Sequence, residues 1–177
     1  WYYADGSGNL YAGEFKTIKG KKYAFRNDGR MVDGLKFILD SNGSLDVKAD
    51  DDDDYPFDTE DDFIENAPYY ENANYKCYYF GDGDDGSMKT GSQTVKDNTG
   101  DSYKFYFYTK DTYGYKKGAG VVGNQSNKLY YYGMLIQADD YKYQLATIAK
   151  DGVDYSFIVN SNGTIQHSKS TEYKEDG

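Results

Sequence analysis

The sequence is short of most of what builds or arms a globular domain. Cys77 is the single cysteine, so no internal disulfide can form and the disulfide-framework class is excluded. His167 is the single histidine, in "IQHSKS". A Ser-His-Asp or Cys-His constellation would depend on it alone, and its setting after a turn reads as an exposed strand position. The two prolines, Pro56 and Pro68, fall in one stretch. No run is long and apolar enough to span a bilayer. Lys and Arg number 20 against 30 Asp and Glu, a net charge of −10. Phosphate backbones need basic contacts, so nucleic acid is not an expected partner, and anionic membranes are disfavoured for the same reason.

Aliphatic side chains are scarce as well: hydrophobic residues make up 38%, and that figure includes 22 Tyr. A core must therefore be built largely from Tyr and Phe, whose rings bury while a Tyr hydroxyl reaches water or a partner. Twenty Gly accompany them. Aromatic runs punctuated by Gly, Asn and Asp read as many short strands.

These runs recur as a unit of aromatic strand, Gly-containing turn, hydrophobic residue and often a further Gly. Trp1-Tyr2-Tyr3 leads to Leu10 and Gly13, and Tyr23-Ala24-Phe25 to Met31 and Gly34. Phe37-Ile38-Leu39 leads through Ser41-Asn42-Gly43 to Leu45. Tyr78-Tyr79-Phe80 leads through "GDGDDG" to Met88 and Gly91, and residues 105–108 to Tyr115 and Gly118. Tyr155-Ser156-Phe157 leads through Ser161-Asn162-Gly163 to Ile165. Asn-Gly ahead of a second strand is a strong hairpin signal. Alternation places Tyr103, Phe105 and Phe107 on one strand face, and Tyr141, Tyr143 and Leu145 on another. A lone hairpin is marginal in water, so the core is expected between units rather than within them. The expected fold is all-β: a β-solenoid of stacked β-hairpin repeats with an irregular acidic insertion.

The insertion is "ADDDDDYPFDTEDDFIENAPYYENAN". Its acidic run reads as a solvated loop. The helical candidate within it is expected to break at Pro68, while Phe63, Ile64, Tyr69 and Tyr70 are placed to dock on the array. The expected organisation is N-terminal hairpins over residues 1–48, the insertion over 49–75 and C-terminal hairpins over 76–177.

The stretches "WYYADGSGNLYAGEFKTIKGKKYAFRNDGRMVDG" and "KCYYFGDGDDGSMKTG" resemble the cell-wall-binding repeat family of Gram-positive bacteria. That family includes choline-binding modules, glucan-binding repeats of streptococcal glucosyltransferases and repetitive domains of clostridial toxins. The resemblance implies a non-catalytic module of a secreted, cell-wall-associated protein, carrying further attached domains and binding cell-wall polymer or glycan. In choline-binding members an aromatic residue directly after a unit's closing Gly helps cage a quaternary ammonium by cation–π attraction. Here Glu14, Leu35, Ser92 and Ala119 follow Gly13, Gly34, Gly91 and Gly118, so the choline cage is incomplete.

The ligand-binding candidates are Trp1, Tyr3, Tyr11, Tyr23, Phe25, Met31, Tyr106 and Tyr108, because aromatic faces stack on sugar rings or cations. The bland alternative is that the same rings are the core. For metal, the "GDGDDG" turn offers Asp82, Asp84 and Asp85 as oxygen ligands for calcium, and residues 50–54 with Asp58, Glu60, Asp61 and Asp62 offer a second acidic group. The alternative for both is turn chemistry and solvated charge. The competing functional class is a structural stalk or protein-interaction spacer without its own ligand, stabilised or not by calcium.

Overall fold

The protein is seen here as a computed structural model in which residues 1–48, 57–83, 85–139 and 142–167 are described. It is mostly β-strand. β1 (Glu14–Ile18) and β2 (Lys21–Phe25) form a hairpin. β3 (Leu35–Asp40) lies between β4 (Leu45–Lys48) and β5 (Lys76–Tyr79). β6 (Gly91–Lys96), β7 (Ser102–Phe107), β8 (Gly123–Gln125), β9 (Lys128–Tyr131) and β10 (Met134–Leu135) form a sheet ordered β6-β7-β10-β9-β8. β11 (Tyr143–Lys150) and β12 (Val153–Asn160) form a long hairpin. Every strand pairing among the described residues is antiparallel, and short turns join the partners in all but β3–β5 and β7–β10.

A single hydrogen-bond pattern runs through these sheets. After each aromatic strand the chain turns on a glycine with φ between 68° and 94°: Gly8, Gly29, Gly86, Gly118, Gly133 and Gly163. Three residues later a backbone N–H returns to the strand. The six bonds are Tyr11 to Tyr3, Val32 to Ala24, Lys89 to Tyr79, Val121 to Tyr106, Ile136 to Leu129 and Gln166 to Ile158, at 2.8–3.1 Å. The described residues therefore hold six copies of one unit. The residue two after the glycine donates instead to the preceding unit: Met31 to Trp1, Met88 to Lys22, Gly120 to Cys77 and Ile165 to Asn127, at 2.7–2.9 Å. The fourth and fifth units meet through the Met134–Phe105 pair of β10 and β7.

Side chains repeat the same link. A Cβ built on Gly86 would lie 2.6 Å from Met31 Sδ, and one on Gly118 would lie 2.9 Å from Met88 Cγ. One on Gly163 would lie 2.5 Å from Leu135 Cδ1, and Leu10 touches Gly29 in the same way at 3.3 Å. Each unit's apolar return residue thus seats on the bare turn glycine of the next. At the fourth unit the arrangement inverts. Gly120 holds the return position, and a Cβ there would lie 2.5 Å from the Tyr132 carbonyl oxygen.

This register amends three sequence readings. The second strand paired with β3 in the repeat sense is β5, reached only after the insertion; Leu35 faces Tyr79 and Phe37 faces Cys77. The β3–β4 hairpin through residues 41–44 is real but is not the pairing that completes the repeat. The fifth unit, built on Leu129, Gly133 and Leu135, escaped the sequence pattern because its turn has no Asn or Asp and places Tyr132 at φ 49°. The register also makes Gly123, not Gly118, the counterpart of Gly13, Gly34 and Gly91, so the following residue is Asn124, again not aromatic.

The insertion is not irregular throughout. α1 (Glu60–Asn72) runs through Pro68 rather than ending there. Thr59 caps it, its hydroxyl accepting from Asp62 N at 3.1 Å, and Glu60, Asp61 and Asp62 face the positive end of the helix dipole. An interior proline costs about 3 kcal/mol. That cost is opposed by packing: Phe63 and Ala67 are buried, and Tyr70 stacks on Phe37 at 4.0 Å and 7°. Phe63 reaches Phe105 at 5.6 Å, which ties the helix to β7. Glu71 accepts from Asp151 N at 2.8 Å, joining the helix to the β11–β12 turn. β5 therefore pairs across the boundary expected near residue 48, and the helix packs on the same core as the C-terminal strands.

Burial follows the expected face of β7, where Phe105 and Phe107 are buried and Tyr103 is partly so. On β11 the buried face carries Ala146 and Ile148, while Leu145 is exposed. Tyr141 lies outside the described residues.

Candidate functional site

The N-terminal units gather most of the expected binding residues. Phe25 is fully buried, and Tyr23 and Met31 are buried beside it, with Tyr11 packed on them. Tyr3 lies 5.4 Å from Tyr23 and 6.1 Å from Phe25, and Tyr11 lies 5.9 Å from Phe25. Three aromatics consecutive in sequence remain exposed, Trp1 at 72%, Tyr2 at 53% and Tyr3 at 39%, and Tyr3 is the one packed on this floor. Burial raises the Tyr23 hydroxyl above its ordinary value, and neighbouring Tyr3 adds to the shift. Tyr2 was absent from the sequence candidates. Its place in the "WYY" run was the available signal, and its ring lies against Gly29.

Tyr106 and Tyr108 are not part of this group. Tyr106 is half-buried against Tyr130 at 5.8 Å, and Tyr108 is buried against Tyr115 at 5.4 Å. Most strand tyrosines are likewise core: Tyr78, Tyr79, Tyr130, Tyr131 and Tyr132 are all buried.

Several aromatic faces are already occupied by the chain's own ammonium groups. Lys16 Nζ sits 5.2 Å from the Tyr11 ring centre, and Lys22 Nζ 5.4 Å from that of Phe15. Lys76 and Lys150 both lie over Tyr115, at 4.5 and 5.6 Å, and Lys142 over Tyr143 at 5.3 Å. An internal cation competes directly with a quaternary ammonium for the same ring face.

The acidic turn residues serve the backbone. Asp85 accepts from Ser87 N at 3.1 Å, from the Ser87 hydroxyl and from Lys89 Nζ at 2.6 Å. Burial pushes its carboxyl upward, but those donors outweigh it and hold the group at about 2. Asp82 accepts instead from Tyr79 OH at 3.0 Å. Asp84 and residues 50–54 lie outside the described residues. Asp97 accepts from Thr99 N, the Thr99 hydroxyl, Asp101 N and Tyr103 OH. Asp5 and Asn160 each hold two turn N–H groups in the same manner. Much of the acidity is thus the side-chain chemistry of tight turns. Among the described residues no group of three His, Cys, Asp or Glu side chains is placed to hold a metal.

No family model matches the chain. Over 163 residues it is 30% identical to glucosyltransferase-S of Streptococcus mutans, a match that takes in 92% of this chain and 9% of that protein. Choline binding protein F from Streptococcus pneumoniae is 22% identical, with 94% of this chain and 44% of that chain covered at a TM-score of 0.31. The pneumococcal cell wall endolysin from phage Cp-1, solved with choline, is 15% identical, with 100% and 40% covered at a TM-score of 0.31. The chain therefore spans less than a tenth of its curated relative and less than half of these two solved chains. In its repeats and in the proteins it matches, the chain is similar to the cell-wall-binding repeat proteins of Gram-positive bacteria.

Proposed function

We propose that the chain is a non-catalytic carbohydrate-binding module of an exported, cell-wall-associated protein, and that its units stack as a β-solenoid. The seating of Met31, Met88 and Leu135 on the glycines of succeeding units supports the stack. The observation that carries the binding role is the exposed run Trp1, Tyr2 and Tyr3, of which Tyr3 packs on the Tyr23–Phe25 floor. Large rings left in water beside a packed cluster are a platform for the apolar face of a sugar. Lysines already on the faces of Tyr11, Phe15, Tyr115 and Tyr143 favour a neutral sugar over choline. The glucosyltransferase likeness makes an α-glucan the first ligand to test. The attached domains of the longer protein would supply any chemistry.

Isothermal titration with dextran and with choline tests this. Dextran binding that weakens about tenfold or more in a Trp1→Ala/Tyr3→Ala variant is expected, taking the low end of the about 1–3 kcal/mol that a base gains by stacking on one aromatic as the guide for a sugar face. A submillimolar dissociation constant for choline, or no glucan bound at all, would overturn the reading. In the second case the burial of most strand tyrosines favours the stalk.

A further inference from the structure

The fold brings together a group of lysines that are scattered in the sequence. A cleft of about 520 Å³ opens where three successive units meet. The β1–β2 hairpin contributes Thr17, Lys21 and Lys22, the return segment of the third unit contributes Lys89, and the loop of the fourth contributes Asp111 and Lys117. Four lysines thus face one aspartate in a chain of net charge −10. Lys89 is paired with Asp85 at 2.6 Å, and Lys116 at the rim is paired with Asp40 at 3.3 Å. Lys21, Lys22 and Lys117 have no ion pair among the described residues. The Lys22 ammonium is partly buried, and its proton is held less firmly than usual because of that burial and of Lys116 and Lys117 nearby. Like charges crowded into a recess, with too few acids to balance them, favour an incoming anion.

We propose that this cleft is a binding site for a phosphodiester-linked polymer of the cell wall, separate from the aromatic platform; the choice of a wall polymer rests on the reading of the chain as cell-wall-associated. Ammonium groups bind phosphate as point charges, and the lysines are spread over three units, which suits a chain of phosphates better than one small anion. Among the described residues no aromatic lines the cleft, so it lacks the stacking surface that single-stranded nucleic acid uses. The acidic remainder of the surface repels a long duplex.

The test is titration at low and high salt with poly(glycerol phosphate), with a single-stranded oligonucleotide of equal charge, with inorganic phosphate and with dextran. Poly(glycerol phosphate) is expected to bind at low salt and to weaken as salt rises. A Lys21→Gln/Lys22→Gln/Lys117→Gln variant should bind it on the order of a hundredfold more weakly, from about one contact per lysine. A Lys96→Gln/Lys104→Gln/Lys142→Gln variant, with the same net charge, should bind nearly as the parent does. Asp111→Asn keeps the oxygen that accepts from Lys117 N and should tighten binding severalfold. That variant keeps the proposal testable should the triple variant fold poorly. Equal losses in the two triple variants, no binding of poly(glycerol phosphate), or tighter binding of the oligonucleotide would each overturn the proposal. Dextran binding unchanged in the cleft variant would show the two sites to be separate, and its loss would refute their independence.

Discussion

The contact between Met31 and Gly86 gives the sharpest test of how the units are joined. Replacing Gly86 with Ala has two separable effects. The backbone there has φ +68°, and a left-handed position costs an L-residue about 1–2 kcal/mol. The new methyl would also lie 2.6 Å from Met31 Sδ, well inside van der Waals contact, and overpacking of this kind costs about 1–3 kcal/mol. Together the loss should be about 2–5 kcal/mol. Gly20→Ala isolates the first effect, because Gly20 has φ +80° and nothing within 4 Å of an added Cβ. It should cost only about 1–2 kcal/mol. Met31→Ala alone removes a buried side chain and should cost about 2–5 kcal/mol. With Met31 gone, the methyl at position 86 has room. The double variant should therefore lose about 1–3 kcal/mol less than the sum of its parts. Urea denaturation followed by far-ultraviolet circular dichroism measures all four free energies. If Gly86→Ala costs no more than Gly20→Ala, or if the double variant is simply additive, the seating of one unit on the next contributes nothing and the ladder is incidental.

The core assignment predicts that Phe105→Ala costs about 3–5 kcal/mol, since Phe105 is buried against Phe63 and Phe107. Tyr106→Ala at its half-buried position should cost clearly less, and equal losses in denaturant melts would refute the face assignment. Alkaline stability follows from the buried phenols. Tyr75, hydrogen-bonded to Asp46, Tyr103, bonded to Asp97, and Tyr131, near Glu71, are each pushed up to about 12, first by burial and then by those acids. The folded state holds these protons more tightly than the unfolded state does. The stability linked to them is therefore intact below about pH 10 and lost as the pH climbs towards 12. Part of the phenolate absorbance should accordingly rise together with the loss of circular dichroism; a phenolate signal complete before any unfolding would contradict this.

Aromatic strand and turn patterns were legible in the sequence wherever Asn, Asp or paired Gly marked the turn, as at residues 27–29 and 161–163. The turn at Tyr132–Gly133 carries no such mark, and its unit was hidden for that reason. The Ser41-Asn42-Gly43 turn misled in the opposite sense: it makes a hairpin, but the partner that completes β3's repeat comes after the helix. Pro68 argued for a break because local propensity carries no knowledge of Phe37 beneath Tyr70. Of the candidate site, Tyr3, Tyr11, Tyr23, Phe25 and Met31 do assemble, and Trp1 joins them through its carbonyl, which accepts from Met31 N. Tyr108 does not, because strand alternation alone cannot tell which second layer lies across from a ring. The lysine cleft was invisible for a further reason. Its residues come from three units and meet only when those units are stacked.

Gly120 has a bearing on how such a chain can be lengthened or edited. Between most neighbours the connector is a protruding side chain set against a bare turn, so a duplicated cassette with Met in one place and Gly in the other could be spliced in without altering either flank. Across the step from Gly120 to Gly133 both faces are bare, and the Tyr132 carbonyl fills the room a side chain would take. A cassette ending in Met cannot be joined there. Copy number is thus free to drift on either side of that step, while the pair of units that meets at it must be inherited, deleted or transplanted as one block.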